Sequence, residues 1–410
     1  MKIFLGLVNV ASQFNDLKKS FAHYGVDTFA VNMQLPHAII NDGSDFNIEK
    51  VQNKVPKFKP HFIGVRVKSW WNRRVKKYAY DKAVKECDVF IFMWKTFEND
   101  FSDIKRLKDA GKKVINVFVG DDARWYYGMK QEFESYGMKP MEYDEHYNYS
   151  IDGLNYHLAF IRTAEKYSDF MFSRLDQAQL QLRPYYRWNM MVNTGAIKHN
   201  PAQRKARPVV AHAPSHRAIK GTKYVLEAFE KLKAEGVDFE ILLIENLSND
   251  KALEAYNNAD IIIDQLICPG TGKLATEGLA CGKIVMGHMA YDKYPQKNPA
   301  ECPIIDVNTT NIYEKLKGVI LDHDFRTKHA LLGRPFVEKH LDTKHFCKKV
   351  LDLLEGKEVA YDYTPDFFRN KFVPESAEAK ESYNKYNRFV ENENWYKQGV
   401  PKGERDGLIF

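Results

Sequence analysis

Strand-like apolar runs alternate with helix-like stretches along most of this chain, and the alternation starts twice. In the first half KIFLGLV precedes NDLKKSFAHYG, which closes at Gly25, and VDTFAVN follows; CDVFIFMW at 87–94, DIKRLKDAG closing at Gly111 and KKVINVFVG at 112–120 continue the series. Strands separated by helices pair through crossovers, so this rhythm implies a mostly parallel sheet covered by helices. Glycines at the helix ends support the boundaries, because glycine adopts the left-handed closing conformation at least cost. A Tyr-, Asp- and Glu-rich stretch at 125–150 reads as a loop. A helical segment near 157–167 then leads to the strand candidate DFMFSRL.

Residues 184–208 break the pattern with prolines, polar groups and charge, after which it restarts. VVAHA (209–213) reads as a strand, and a helix after Gly221 carries Val225, Leu226, Phe229 and Leu232 on one face, with Thr222 as its expected N-cap. FEILLI reads as a buried strand, NDKALEAYNNA as a helix, DIIID as a short strand, GKLATEGLACG as a helix ending at Gly282, and KIVMG as a further strand. Residues 308–354 read as helical, and 360–410 are aromatic and polar with periodicity only near 377–391. A chain of 410 residues exceeds one ordinary core. The expected architecture is therefore α/β, with two Rossmann-like domains facing across a cleft. They span 1–190 and 209–358, joined by a linker at 191–208, and an extension at 359–410 packs back on the first. Ligands of such sheets bind beyond the carboxyl ends of the strands.

Five cysteines without a CxxC pair indicate neither a zinc site nor a disulfide framework, which fits a reducing cytoplasm. The apolar start at 3–8 is too short to span a membrane and reads as a first strand rather than a signal peptide. The net charge of +7 is unevenly placed: between Lys54 and Lys85 there are eleven Lys or Arg and one acid, Asp81, with Trp70 and Trp71 among them. Such a patch attracts anions. It suits an anionic membrane surface or an acidic glycan, and equally a solvated basic helix; no nucleic-acid motif accompanies it, so nucleic acid is not an expected partner.

Two runs carry chemistry. In HAPSHRAIKGTKYVLEAF, a strand ends at His212, a loop delivers Ser215, His216, Arg217 and Lys220, and a helix begins near Thr222. Cations and free backbone N–H groups at a helix start suit a diphosphate, although the same spacing fits a solvated basic turn. In CPGTGKLATEGLACGKIVM, the Gly270, Thr271, Gly272, Lys273 segment opens a helix that contains Glu277. A carboxylate there can accept from sugar hydroxyls, or be an ordinary surface glutamate; Lys273 can meet a phosphate or water.

Together these runs resemble the donor-binding half of retaining glycosyltransferases with the GT-B fold, of the family 4 type. The family's pattern is a basic residue before Lys-Gly, a helix, a strand ending in Ala-Asp, and a glycine-containing loop leading to Glu-Ala-Met-Ala-x-Gly-Lys. Here Arg217, Lys220-Gly221, Ala259-Asp260 and Glu277-Gly278-Leu279-Ala280-Cys281-Gly282-Lys283 hold those places in order, over about 205–290. The resemblance implies a nucleotide-sugar donor, Arg217 and Lys220 on its diphosphate in a catalytic role, Glu277 on its ribose, and Gly270 to Lys273 along sugar and phosphates, with His212, Ser215 and His216 beside them. It implies retention of anomeric configuration, no metal and no cofactor, and a glycan, glycolipid or glycoprotein acceptor. A cytoplasmic enzyme, peripheral at the inner face of the membrane, is the corresponding expectation.

Two positions depart from the family. Pro269 stands where a second Glu is common, and Val119 where a histidine is often found; Gly120, Asp121, Asp122 and Arg124 follow. Asp121 and Asp122, after a strand end, are candidates for acceptor binding or a catalytic base, or for capping a turn. Asn9, Ala11 and Ser12, after the first strand, are placed like the loop that approaches the donor sugar. The rival functions are a sugar-nucleotide epimerase on the same fold and a non-catalytic sugar-nucleotide or glycan-binding protein.

Overall fold

The computed structural model describes residues 1–35, 42–54, 61–138, 150–292 and 300–397. The first half builds a seven-stranded sheet from β1 (Lys2–Leu7), β2 (Asp27–Asn32), β3 (Phe46–Asn47), β4 (Val89–Met93), β5 (Lys113–Val117), β6 (Phe170–Ser173) and β7 (Tyr186–Arg187), in the order β3-β2-β1-β4-β5-β6-β7. The second builds a five-stranded sheet from β8 (Val209–His212), β9 (Glu240–Leu243), β10 (Ile261–Ile263), β11 (Ile284–Gly287) and β12 (Ile305–Asp306), in the order β12-β11-β10-β8-β9. Every pairing in both sheets is parallel. The central strands are apolar along their length because helices cover both faces: Phe4 and Phe90 pack into one core of the first domain, Ile3, Leu5 and Ile91 into another. This is the expected pair of Rossmann-like domains.

Some local readings are corrected. The stretch read as a loop from 125 contains a helix, Tyr126–Ser135, which buries Met129 and Phe133. β9 is an edge strand rather than a buried one, and it leaves Ile241 and Leu243 exposed. Thr222 is not the N-cap of its helix: Gly221, at φ 71°, takes that place, and the Thr222 hydroxyl is bound to His212 instead.

The chain crosses between the domains twice. Met191 packs in the first domain and Val192 in the second, and residues 200–202 are tied to the second by Asn200 N–H donating to Cys281 O (2.9 Å) and Ala202 N–H to Gly282 O (3.0 Å). The return crossing follows the helix His323–His340. The next helix, Thr343–Leu354, grouped with the second domain on sequence grounds, lies instead against the helix Gln13–His23 of the first. The two crossings touch: Val192 N–H donates to Leu341 O (3.1 Å) and Thr343 N–H to Val192 O (2.9 Å). Beyond them the helix Ala377–Arg388 packs on the helix Ile151–Tyr167, and Arg162 donates to Asn387 Oδ1 at 3.2 and 3.1 Å. The five cysteines are free, and no helix among the described residues is long and apolar enough to cross a membrane.

The second domain is packed tightly where the helices Lys273–Ala280 and His323–His340 cross. A Cβ on Gly333 would meet the Leu279 carbonyl oxygen at 2.8 Å. Gly333→Ala forces these backbones apart, with an expected loss of about 1–3 kcal/mol. Calorimetry should show a lowered thermal midpoint; an unchanged one contradicts this packing.

Candidate functional site

A cavity of about 570 Å³ lies where the carboxyl edges of the two sheets face each other. The first domain lines it with Ala11, Ser12, Arg124, Arg174, Asp176 and Gln177, and the second with segments following β8, β9 and β10 and with the start of the helix Lys273–Ala280.

Lys220 is firmly anchored on the second domain's side of the cavity. Its ammonium donates to Asp264 Oδ1 (2.6 Å) and Gln265 Oε1 (3.1 Å), which hold a largely buried side chain against the cavity. Asp264 also explains Gly272. A Cβ on Gly272 would stand 2.5 Å from Asp264 Oδ2, so only glycine lets the helix start this close to the carboxylate that orients Lys220. The first turn of that helix directs N–H groups outward, and Lys273 lines the cavity beside it. Lys273 also stitches the domains together, reaching Asp16 Oδ2 (3.2 Å) and Met191 O (2.9 Å) in the first. Glu277, on the next turn, is buried and accepts from Asn249 Nδ2 (2.9 Å); burial raises its carboxyl above the ordinary range, against the pull of Lys273 and Asn249. Ser215 is exposed and lines the cavity.

Other candidates are placed elsewhere. Arg217 is more than half exposed and forks onto Glu245 through Nε–Oε1 (2.8 Å) and Nη2–Oε2 (2.7 Å); Glu245, not Arg217, lines the cavity. His212 is fully buried and has both ring nitrogens engaged, with Ile263 O (2.9 Å) and the Thr222 hydroxyl (2.9 Å). A carbonyl only accepts, so Nδ1 carries the proton and Nε2 accepts from Thr222. Burial lowers the ring's pKa, and the neutral form fits both bonds. His212 therefore ties the end of β8 to β10 and to the helix Thr222–Ala234. His216 is exposed and does not line the cavity. Gly270 is held between two loops, its N–H donating to His288 O after β11 (2.8 Å) and its carbonyl accepting from Gln265 in its own loop (3.0 Å); the Thr271 carbonyl accepts from Arg174 (3.1 Å).

In the first domain, Asn9 is turned inward, donating to Asp42 O (2.6 Å) and accepting from Phe14 N–H (3.0 Å). It braces the loop in which Ala11 and Ser12 both sit in the left-handed region, at φ 50° and 59°. Two successive non-glycine residues there store strain beside the cavity. Neither candidate aspartate lines the cavity. Asp122 is buried and accepts from the amides of Gly120 (2.7 Å) and Val119 (3.1 Å), which makes it the cap of the turn after β5. Asp121, half exposed, holds the guanidinium of Arg124 at 2.7 Å.

Arg124, Arg174, Asp176 and Gln177 were not among the sequence candidates. They follow β5 and β6, and that position at strand carboxyl ends was the available signal. Asp176 sits between both arginines, accepting from Arg174 Nε (3.0 Å) and lying 3.8 Å from Arg124 Nη2. Cys268 is within 3.7 Å of Asp176, but burial pushes its thiol up to about 12, so it is no ready nucleophile. Among the described residues no group of His, Cys, Asp or Glu is arranged to hold a metal ion.

No known family pattern matches this sequence, and no curated protein is detectably similar to it. Solved structures do share its fold. Anabaena HepE, in complex with UDP and glucose, superposes with TM-score 0.52 at 9% identity over 87% of this chain and 100% of its own. Sucrose-phosphate synthase from Thermosynechococcus elongatus gives 0.55 at 11% over 87% and 98%. An S. aureus TarM variant, in complex with fondaparinux, α-GlcNAc-glycerol and UDP, gives 0.55 at 10% over 86% and 99%. At such identities the likeness is one of architecture: the chain has the two-domain GT-B fold.

Burial outweighs the amide bonds at Asp122 and pushes its carboxyl from 3.8 up to about 7. As pH rises between those values the unfolded chain releases this proton and the folded chain keeps it, so the group's contribution to stability falls across that window. Asp122→Asn has no such proton. Its thermal midpoint relative to the native chain should rise from about pH 4 to about pH 7; a constant difference sinks the assignment.

Proposed function

We propose that this chain is a glycosyltransferase that takes a sugar from a nucleotide donor held in the cavity between its domains. The observation that carries this is the convergence of Lys220, the helix start at Lys273 and the buried Glu277 on one wall of that cavity. Lys220 and the helix amides meet the diphosphate. Glu277, held by Asn249, accepts from the ribose hydroxyls, and Ile244, Leu247 and Ala252 give the base an apolar wall. The sugar then points towards Ser12, Arg124 and Gln177. HepE and TarM have been captured with UDP, and a uridine nucleotide is our first candidate here.

We further propose retention, metal independence and membership of the family 4 type, on the ordered motif from Arg217 to Lys283. The difficult step is loss of an anionic diphosphate, and lysine and arginine side chains around the cavity offer N–H donors where that charge develops. Arg217 reaches the diphosphate only by leaving Glu245, so Lys220 is the primary contact.

Offering UDP-, GDP- and ADP-sugars and measuring nucleoside diphosphate release tests the activity; neither binding nor release with any donor refutes it. For nucleotide affinity, Lys220→Ala should weaken binding about 100-fold, the scale of a lost charge-assisted contact. Arg217→Ala should change it by less than about threefold. Equal losses from both variants would place Arg217 on the diphosphate instead.

The helix His61–Glu86 exposes Arg66, Lys68, Arg73, Arg74 and Lys77, with Trp70 half exposed under the Arg74 guanidinium at 5.1 Å. We propose that this face meets an anionic membrane surface near a lipid-linked acceptor. Co-sedimentation should show binding to vesicles containing phosphatidylserine and not to phosphatidylcholine alone, with loss in an Arg73→Ala, Arg74→Ala double variant. Equal partition to both vesicles sinks this reading.

A further inference from the structure

A second cavity, of about 310 Å³, lies between the domains beside the two chain crossings. The first domain lines it with Arg187 of β7, with Asn189, and with His345 and Lys349 of the helix Thr343–Leu354. The second adds Thr271 and, from the end of the helix His323–His340, Phe336 and His340. His345 and Lys349 are four residues apart and so share one helix face. The floor is apolar, with Phe172, Met191, Phe336, Leu341 and Phe346 all buried.

The rim is basic and open. Arg187 and Lys349 face one carboxylate, Asp362, which accepts from the Arg187 amide (2.7 Å) and from the Lys349 ammonium (3.0 Å). The Arg187 guanidinium is steered by a neutral group, donating through Nε to Asn189 Oδ1 (3.1 Å). The two histidines are anchored to residues that do not line the cavity, His340 to Glu301 (2.8 Å) and His345 to the Glu338 carbonyl (2.6 Å). The side chains of Lys349, Asp362 and His340 keep 32%, 31% and 24% of their surface, so a ligand can reach them. Such a rim opposes a cation, and an apolar molecule would cover its charges without pairing them. A phosphate on an organic body suits both parts, the anion between Arg187 and Lys349 and the body on the phenylalanines. The volume is at the lower end of small-ligand pockets.

We propose that this cavity is an effector site for a small organic phosphate, of about hexose phosphate size, that bridges the two domains where the chain crosses between them. Two hydrogen bonds join its wall to the donor cavity. Thr271 lines the effector cavity and its carbonyl accepts from Arg174 (3.1 Å), which lines the other; Met191 lines the effector cavity and its carbonyl accepts from Lys273 (2.9 Å), which also lines the other. An occupant that links Arg187 and Lys349 of the first domain to His340 of the second therefore bears on the helix start that meets the diphosphate. Effector and nucleotide then alter each other's affinity by the same factor. The binding itself stands apart from the transferase reading, and only this coupling rests on it.

Calorimetric titration of the full chain with glucose-6-phosphate, phosphoenolpyruvate, inorganic phosphate and glucose tests the site. At least one organic phosphate should bind saturably and more tightly than inorganic phosphate, and glucose should not bind. Lys349→Gln should weaken that binding about tenfold, the scale of one charge-assisted contact. Asp362→Asn, which keeps an oxygen for the Arg187 amide and removes the opposing charge, should tighten it about threefold, a gain that a misfolded variant does not give. If no organic phosphate binds, if glucose or inorganic phosphate binds as tightly, or if either variant binds as the native chain does, the site is wrong. Loss of binding in Lys220→Ala with none in Lys349→Gln would put the phosphate in the donor cavity and overturn the proposal. Saturating organic phosphate should also shift the affinity for UDP; an unchanged affinity removes the effector role. Organic phosphate binding with the expected variant pattern in a chain that binds no nucleotide leaves the site standing and the donor reading refuted.

Discussion

All strands of both sheets run parallel, and that constraint decides where polar chemistry can gather. A parallel strand sends its carboxyl end to the same edge as its neighbours, while helices seal both faces. Buried strands such as Val89–Met93 and Ile261–Ile263 leave no room for ionised groups within the sheets. The charged side chains stand instead in the segments after β5, β6, β8, β9 and β10, and these face one another across the gap.

Those charges are held before any ligand arrives. Lys220 leans on Asp264, Lys273 on Asp16, and Arg174 on Asp176. Each pair is at least partly buried, where desolvation offsets much of the attraction, so their value lies in fixed position rather than in stability. A cation already oriented loses little freedom when an anion binds, and its attraction acts most strongly where water is excluded.

The fold was legible from the sequence because its period is long and strongly marked: strand, helix and glycine recur with little ambiguity from Lys2 to Gly120 and from Val209 to Gly287. The errors lie where tertiary context overrides local signal. β9 reads as buried because it is apolar, yet only its place at the sheet edge decides its exposure. The site was half legible. Lys220, Lys273 and Glu277 lie in one contiguous motif, whereas Arg124, Arg174 and Asp176 come from two strand ends far apart in sequence, joined only by folding. The Asp121-Asp122 pair shows the limit most clearly. Nothing in those two letters says that one carboxylate turns inward onto amides and the other outward onto Arg124.

The two chain crossings have a mechanical meaning. Val192 and the Leu341–Thr343 segment are hydrogen-bonded side by side, and Asp342 also accepts from the Thr194 amide (3.1 Å). Two adjacent tethers behave like the pins of a door hinge: they permit rotation about the line through them and resist twist and slide. Any such swing acts on contacts that bridge the domains, Lys273–Asp16 and Arg174–Thr271 among them. A molecule that fills the gap beside those contacts is thus weighed against their release, which couples occupancy of the cavity to the angle of the hinge.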